Sequence, residues 1–257
     1  MIIDGIRFTS RLLLGSAGYP SLTCLSQAVR ASGAGLLTVS LRREAGVSEG
    51  FSDFLAELSS DVRILPNTSG CFSAREAILT AVMAREIFQT RLIKLEVTGD
   101  SQALFPDSGE LLKAAEELIS QDFCVLPYTN DDPVVASKLL EAGCDVLMPL
   151  AAPIGSAQGP ANLSRLRYFR QSFPQATLIV DAGLGRPSHA AIVMEEGFDG
   201  VLVNTAVAKS GNPVAMAKSF AMATEAGRLG CSSVMPEPTE AGAASSPLKG
   251  LPFLNFT

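Results

Sequence analysis

The chain is short of the residues on which many chemistries depend. It has a single histidine, His189, in 257 residues, which excludes a histidine-rich metal site. Its five cysteines, Cys24, Cys71, Cys124, Cys144 and Cys231, are odd in number and none falls in a CxxC pair. They read as reduced thiols of a cytosolic protein, with packing the expected role even for Cys71, which follows a strand-like run. Charge is sparse too: 18% of residues are charged, with a net charge of −6. No basic stripe is available to neutralise phosphates, so nucleic acid is not an expected partner. No apolar stretch approaches a membrane span. The opening Met-Ile-Ile-Asp-Gly-Ile-Arg lacks the basic region and apolar core of a signal peptide, and a cytoplasmic location is expected.

What is present is apolar and rhythmic. Hydrophobic residues make up 47% of the chain and mean hydropathy is +0.28, which suits a parallel sheet buried on both faces. Runs rich in Leu, Ile and Val recur at Leu12–Gly15, Leu36–Leu41, Arg63–Pro66, Leu92–Val97, Cys124–Tyr128, Val146–Leu150, Thr177–Asp181 and Val201–Asn204. Helical segments separate them. Ser73–Phe88 opens with the capping-box pattern Ser-Ala-Arg-Glu, and Ser108–Ser120 carries one apolar stripe. Asp131-Asp132-Pro133 starts a helix over Val134–Ala142, closed by Gly143. Arg186-Pro187-Ser188 starts another, closed by Gly197, with His189 an exposed first-turn residue. Asn212-Pro213 starts the last, which should run through Glu225.

Eight strand–helix units of this length predict parallel strands joined by right-handed crossovers, a (β/α)8 TIM barrel of the α/β class. A doubly wound open sheet is the alternative. It more often shows a dinucleotide fingerprint after its first strand, and Gly15-Ser16-Ala17-Gly18-Tyr19 lacks the GxGxxG spacing. The reading is one domain over 1–257, with the barrel at about 11–228. A hairpin within Ile2–Arg11, turning at Asp4-Gly5, covers the barrel bottom, and residues 231–257 form a tail.

In such a barrel the chemistry collects at the C-terminal ends of the strands. Strand four carries Lys94 and Glu96, which share a face because side chains alternate. A charged pair in a buried strand is costly unless paired or used. Either it is a structural ion pair, or Lys94 is a Schiff-base former whose pKa burial depresses. Asp181 ends strand seven as either a helix N-cap or an acid/base, and the later helix start at Pro187 weakens the capping reading. Glu96 and Asp181 then serve as two carboxyl groups facing one imine-forming lysine. Glycines after strands six and seven either belong to ordinary βα turns, where glycine is common, or let backbone N–H groups approach a phosphate. With Gly183, Asn204 and Thr205 in the usual phosphate loops of this fold, a phosphorylated carbonyl substrate is expected.

Several blocks, in order and correctly spaced, carry a resemblance to a known family. They are Ile93-Lys94-Leu95-Glu96-Val97, Val125-Leu126-Pro127-Tyr128-Thr129, Pro153-Ile154-Gly155-Ser156, Val180-Asp181-Ala182-Gly183 and Gly200–Ala206. The chain resembles the thiazole synthases, ThiG, of bacterial thiamine biosynthesis, which are (β/α)8 barrels. The resemblance implies that Lys94 forms an imine with the C2 ketone of 1-deoxy-D-xylulose 5-phosphate. It implies that Glu96 and Asp181 move protons, and that Gly155, Ala182, Gly183, Asn204 and Thr205 bind the phosphosugar. Sulfur would come from the C-terminal thiocarboxylate of a ThiS-like carrier protein. Dehydroglycine (2-iminoacetate) would come from a separate enzyme, ThiH or a glycine oxidase. A homotetramer is implied, and no metal or organic cofactor is. The chain departs from the family at Ser16-Ala17-Gly18, where a lysine is absent, at Ala151 and Ala157, where glycine is commoner, and at His189, a position often acidic. A class I aldolase-like enzyme using Lys94 on a phosphosugar, and a non-enzymatic phosphosugar-binding protein, are the competing readings.

Overall fold

A computed structural model describes residues 1–41, 50–58, 62–102, 104–234, 236 and 239–242. A short hairpin, β1 (Ile2–Ile3) and β2 (Ile6–Arg7), comes first, with Ile2 opposite Arg7. Asp4 and Gly5 both take positive φ, 53° and 70°, the conformation a two-residue hairpin turn demands. Eight strands follow: β3 (Leu12–Gly15), β4 (Leu36–Ser40), β5 (Arg63–Asn67), β6 (Leu92–Leu95), β7 (Cys124–Thr129), β8 (Val146–Pro149), β9 (Thr177–Val180) and β10 (Gly200–Val203). They close into a parallel barrel in sequence order, with β10 paired to β3. That closure rules out the open-sheet alternative. The observed strands fall on the eight expected runs, with ends moved by a residue or two.

Around the barrel lie α1 (Leu22–Ser32), α2 (Phe51–Glu57), α3 (Ala74–Phe88), α4 (Ser108–Ser120), α5 (Pro133–Glu141), α6 (Leu163–Ser172), α7 (Pro187–Glu195), the short α8 (Thr205–Ala208) and α9 (Pro213–Ser232). The caps follow the sequence. Ser73 accepts from the Glu76 N–H at 3.3 Å, Asp132 caps the Val134 N–H at 2.8 Å, and Gly143 and Gly197 end their turns at positive φ. The last helix runs past its expected end at Glu225 to Ser232. Gly227 does not stop it. A Cβ there would meet the Ala191 carbonyl oxygen at 2.3 Å, so this glycine lets α9 press against α7. Cys231 and Ser232 therefore belong to the helix rather than to the expected tail, most of which lies outside the described residues. Among the described residues no helix is long and apolar enough to cross a membrane.

Strand alternation divides the core into two shells. Leu12, Leu14, Leu37, Val39, Ile93, Leu95, Val180 and Val203 face outward and pack with the helices. Leu13, Leu36, Leu65, Leu92, Leu126, Met148, Ile179 and Leu202 fill the barrel interior, with Ile3 and Phe8 of the hairpin segment closing it from below. Burying a side chain of this kind contributes about 1.5–3 kcal/mol. Lys94 stands two residues beyond Leu92, Asp181 two beyond Ile179, and Asn204 two beyond Leu202. The interior rows that are apolar below continue as polar rows above.

Candidate functional site

Lys94 is in register with Asn67 on one side and Leu126 on the other. The residue is 6% exposed, beside Glu96 at 8% and Asp181 at 4%. Its Nζ lies 2.5 Å from Asp181 Oδ2 and 3.0 Å from Glu96 Oε1. The expected constellation is therefore assembled. Hydrogen-bonded pairing ends at Leu95, so Glu96 sits just past the strand. Thr68 fixes it there, its Oγ1 donating to the Glu96 carbonyl at 2.7 Å and accepting from the Glu96 N–H at 2.7 Å. Asp181 is no helix cap, since α7 starts at Pro187 with Arg186 in the cap position. Its Oδ1 accepts from the Ala182 N–H at 2.6 Å, which leaves Oδ2 for the lysine. Ala182 holds a φ of +60°, a costly conformation for a residue with a side chain and one that recurs at functional sites.

The electrostatics correct one expectation. Burial pushes the Lys94 pKa down, as anticipated, but the charges and hydrogen bonds of Asp181 and Glu96 outweigh it and the net shift is upward. The free protein therefore holds an ammonium, not a free amine. A buried cation between two carboxylates is satisfied here, and the same arrangement favours any cation formed at Nζ. The Tyr128 ring adds to this, its centroid 5.6 Å from Nζ. Burial, reinforced by Asp181 and Glu96, pushes the Tyr128 phenol above its ordinary pKa.

A cavity of about 660 Å³ opens over the triad, and Lys94, Glu96, Asp181, Gly155, Ala182, Gly183, Asn204 and Thr205 all line it. The structure thus brings together all eight expected site residues, and it revises what some of them do. Gly183 has φ +73°, and a Cβ on it would lie 2.4 Å from the Ala152 Cβ. Its lack of a side chain is demanded first by the loop after β8, and its carbonyl accepts from the Gly159 N–H at 2.8 Å. The side chain of Asn204, with its amide oriented so that nitrogen faces the two carbonyls, donates to Gly15 O at 3.1 Å and Ala17 O at 2.9 Å. It braces the loop after β3, and a Cβ on Gly15 would collide with it at 2.6 Å. The Thr205 and Ala206 N–H groups stand in the first turn of α8, where no intrahelical acceptor exists.

Two of the departures, Ala157 and His189, are accommodated locally. Ala157 has φ +57°, and its methyl fits because Gly185 opposite has none; a Cβ there would come within 2.4 Å. His189 does sit in the first turn of α7, but it is half-buried rather than exposed. Its Nδ1 accepts from the Gly185 N–H at 3.1 Å, and its ring packs where a Cβ on Gly159 would lie. Burial, then nearby Arg186, lowers its pKa. Cys71 is fully buried, in keeping with a packing role. Among the described residues no group of three His, Cys, Asp or Glu side chains could hold a metal ion.

Strand-end reading passed over Thr38 and Ser40 on β4 and Lys209 after α8, all of which line the cavity. Alternation from Leu36 would have found the first two. The chain matches the family model described as thiazole biosynthesis protein ThiG over residues 2–247. It is 55% identical over 251 residues to a thiazole synthase of Brucella anthropi, covering 97% of this chain and 98% of that protein. It is 56% identical over 251 residues, with the same coverage, to one of Rhizobium rhizogenes. A solved structure of the Amycolatopsis orientalis BexX/CysO complex superposes with a TM-score of 0.84 at 30% identity, covering 93% of this chain and 98% of that one.

Proposed function

The chain belongs to the ThiG family and its activity is that of a thiazole synthase, and from that premise we propose that Lys94 forms an imine with the C2 ketone of 1-deoxy-D-xylulose 5-phosphate. The observation that carries this reading is the buried Lys94–Asp181–Glu96 triad at the floor of a cavity. An ammonium cannot attack a carbonyl. Asp181 Oδ2, at 2.5 Å, is placed to take one proton from Nζ as substrate enters. The amine adds to C2, the former carbonyl oxygen takes one proton from the nitrogen and the one held by Asp181 and leaves as water, and the product is an iminium beside a regenerated carboxylate. The carboxylates that held the ammonium now stabilise that cation.

The iminium is an electron sink. Glu96 or Asp181 removes the proton on C3, and return of a proton to C2 leaves the carbonyl at C3. The partner is a ThiS-like sulfur carrier, whose C-terminal thiocarboxylate supplies sulfur to that new ketone. Condensation with dehydroglycine, made by a separate enzyme (ThiH or a glycine oxidase), closes the ring. The BexX/CysO complex, in which a relative of this fold holds a second protein, supports the carrier's role.

The phosphate rests on the far side of the mouth, on backbone N–H groups around Thr205 and Ala206 with the turns at Gly155 and Ala182–Gly183 about it. In the closed order β10, β3, β4, β5, β6, the lysine strand lies four strands from β10. Substrate would span the barrel from ketone to phosphate. A homotetramer and a cytoplasmic location complete the reading.

The test is reconstitution. Purified protein, phosphosugar, dehydroglycine and thiocarboxylate carrier should give thiazole phosphate, and omitting any one should abolish it. Retro-aldol cleavage of the phosphosugar without the carrier would return the aldolase reading.

A further inference from the structure

Ser40 is the last residue of β4. By alternation from Leu36, which fills the barrel interior, Thr38 and Ser40 face inward as well. Ser40 is in register with Asn67, and Asn67 with Lys94. The three residues form a polar ledge across neighbouring strands, on the side of the mouth between β3 and β6. Ser40 is 4% exposed, and its Oγ makes no hydrogen bond. Tyr19, Tyr128 and Thr129 also carry buried, unpartnered hydroxyls. Of the four, Ser40 is the residue that lines the cavity over the triad.

A buried hydroxyl without a partner costs stability, and one that borders an open cavity has a place to find a partner when the cavity fills. Rotation about χ1 moves Oγ among three staggered positions at little cost. The substrate assigned above runs from its ketone at Lys94 to its phosphate near β10, and it carries hydroxyls on the carbons between. We propose that Ser40 is a substrate-binding residue whose Oγ pairs with a secondary hydroxyl of the bound phosphosugar, at C3 or C4. Ser40 thereby discriminates hydroxylated from deoxygenated chains. The inference rests on the phosphosugar reading and adds to it a residue that selects for the carbon chain rather than for the ketone or the phosphate.

An orphan hydroxyl that waits for substrate has a signature that a structural serine lacks. Ser40→Ala should melt no lower than wild type, because it removes an unsatisfied group. The same variant should bind 1-deoxy-D-xylulose 5-phosphate about three- to tenfold more weakly, the worth of one neutral hydrogen bond. Calorimetry with the 3-deoxy and 4-deoxy phosphosugars completes the test. Wild type should lose a similar factor with one of the two, and Ser40→Ala should show no preference against that analogue. Three results would overturn the assignment: unchanged affinity in Ser40→Ala, a lowered melting temperature, or wild-type indifference to both analogues. Failure of wild type to bind the parent phosphosugar would instead remove the reading beneath it, and the inference with it.

Discussion

The lower and upper halves of the barrel interior are built on the same strands and do opposite work. Below, Leu13, Leu36, Leu65, Leu92, Leu126 and Ile179 pack into an apolar plug with Ile3 and Phe8. Above, two residues further along the same rows, stand Gly15, Thr38, Asn67, Lys94 and Asp181. The lower half is stabilised by burial of apolar area. The upper half is held by a charged triad and backbone braces, and it encloses a cavity instead of filling it. Stability and chemistry are thus separated along each strand, not between strands. A change of two residues moves a side chain from one role to the other.

The comparison can be broken from either end. The largest expected effect is in the upper half: Glu96→Ala and Asp181→Ala should each slow thiazole formation by about 10²–10⁴-fold in single-turnover assays. Asp181, at 2.5 Å from the ammonium, should be the more severe. At least one of the two should still form the imine. Next comes the plug, where Leu126→Ala should destabilise by about 2–5 kcal/mol in denaturant titrations. Turnover per folded molecule should stay near wild type. A rate loss as large as that of the carboxylate variants would erase the division.

Gly183→Ala should cost about 1–3 kcal/mol from its positive φ and more from the collision with Ala152. Melting temperature should fall before any effect on phosphate binding is seen.

The smallest effect is on pH dependence. The folded Lys94 pKa lies above its unfolded value, so the folded state binds the proton more tightly. The resulting stability is present in full below the unfolded lysine pKa of about 10.4. It is lost as pH climbs from there through the folded value. Wild type should lose stability faster than Lys94→Met above about pH 10. Parallel melting curves for the two proteins would contradict the charged triad.

Much of this was legible in the sequence, for reasons that particular residues make plain. The eight strands were readable because both faces of a parallel strand are buried and the runs are continuous. Lys94 and Glu96 stood out because charge inside such a run is rare. Asp181 was recognisable because the next helix start, Pro187, lies too far on for it to be a cap. The Lys94 protonation state was not legible. Burial and the two carboxylates act in opposite directions, and only the distances decide between them. Gly183 and Gly227 were opaque for a related reason: what presses on them, Ala152 and Ala191, is distant in sequence. Alternation from Leu36 would have placed Ser40 on the inner face, but that its hydroxyl has no partner is seen only in the structure.

The central claim is that Lys94, held as a cation between Asp181 and Glu96, is the covalent site. Borohydride reduction in the presence of 1-deoxy-D-xylulose 5-phosphate, followed by peptide mass mapping, tests it most directly. The account predicts a reduced adduct on the peptide bearing Lys94 in wild type and none in a folded Lys94→Arg variant, whose guanidinium keeps the charge but does not form the imine. An adduct on another lysine, such as Lys209 at the cavity rim, or its persistence in Lys94→Arg, would contradict the account.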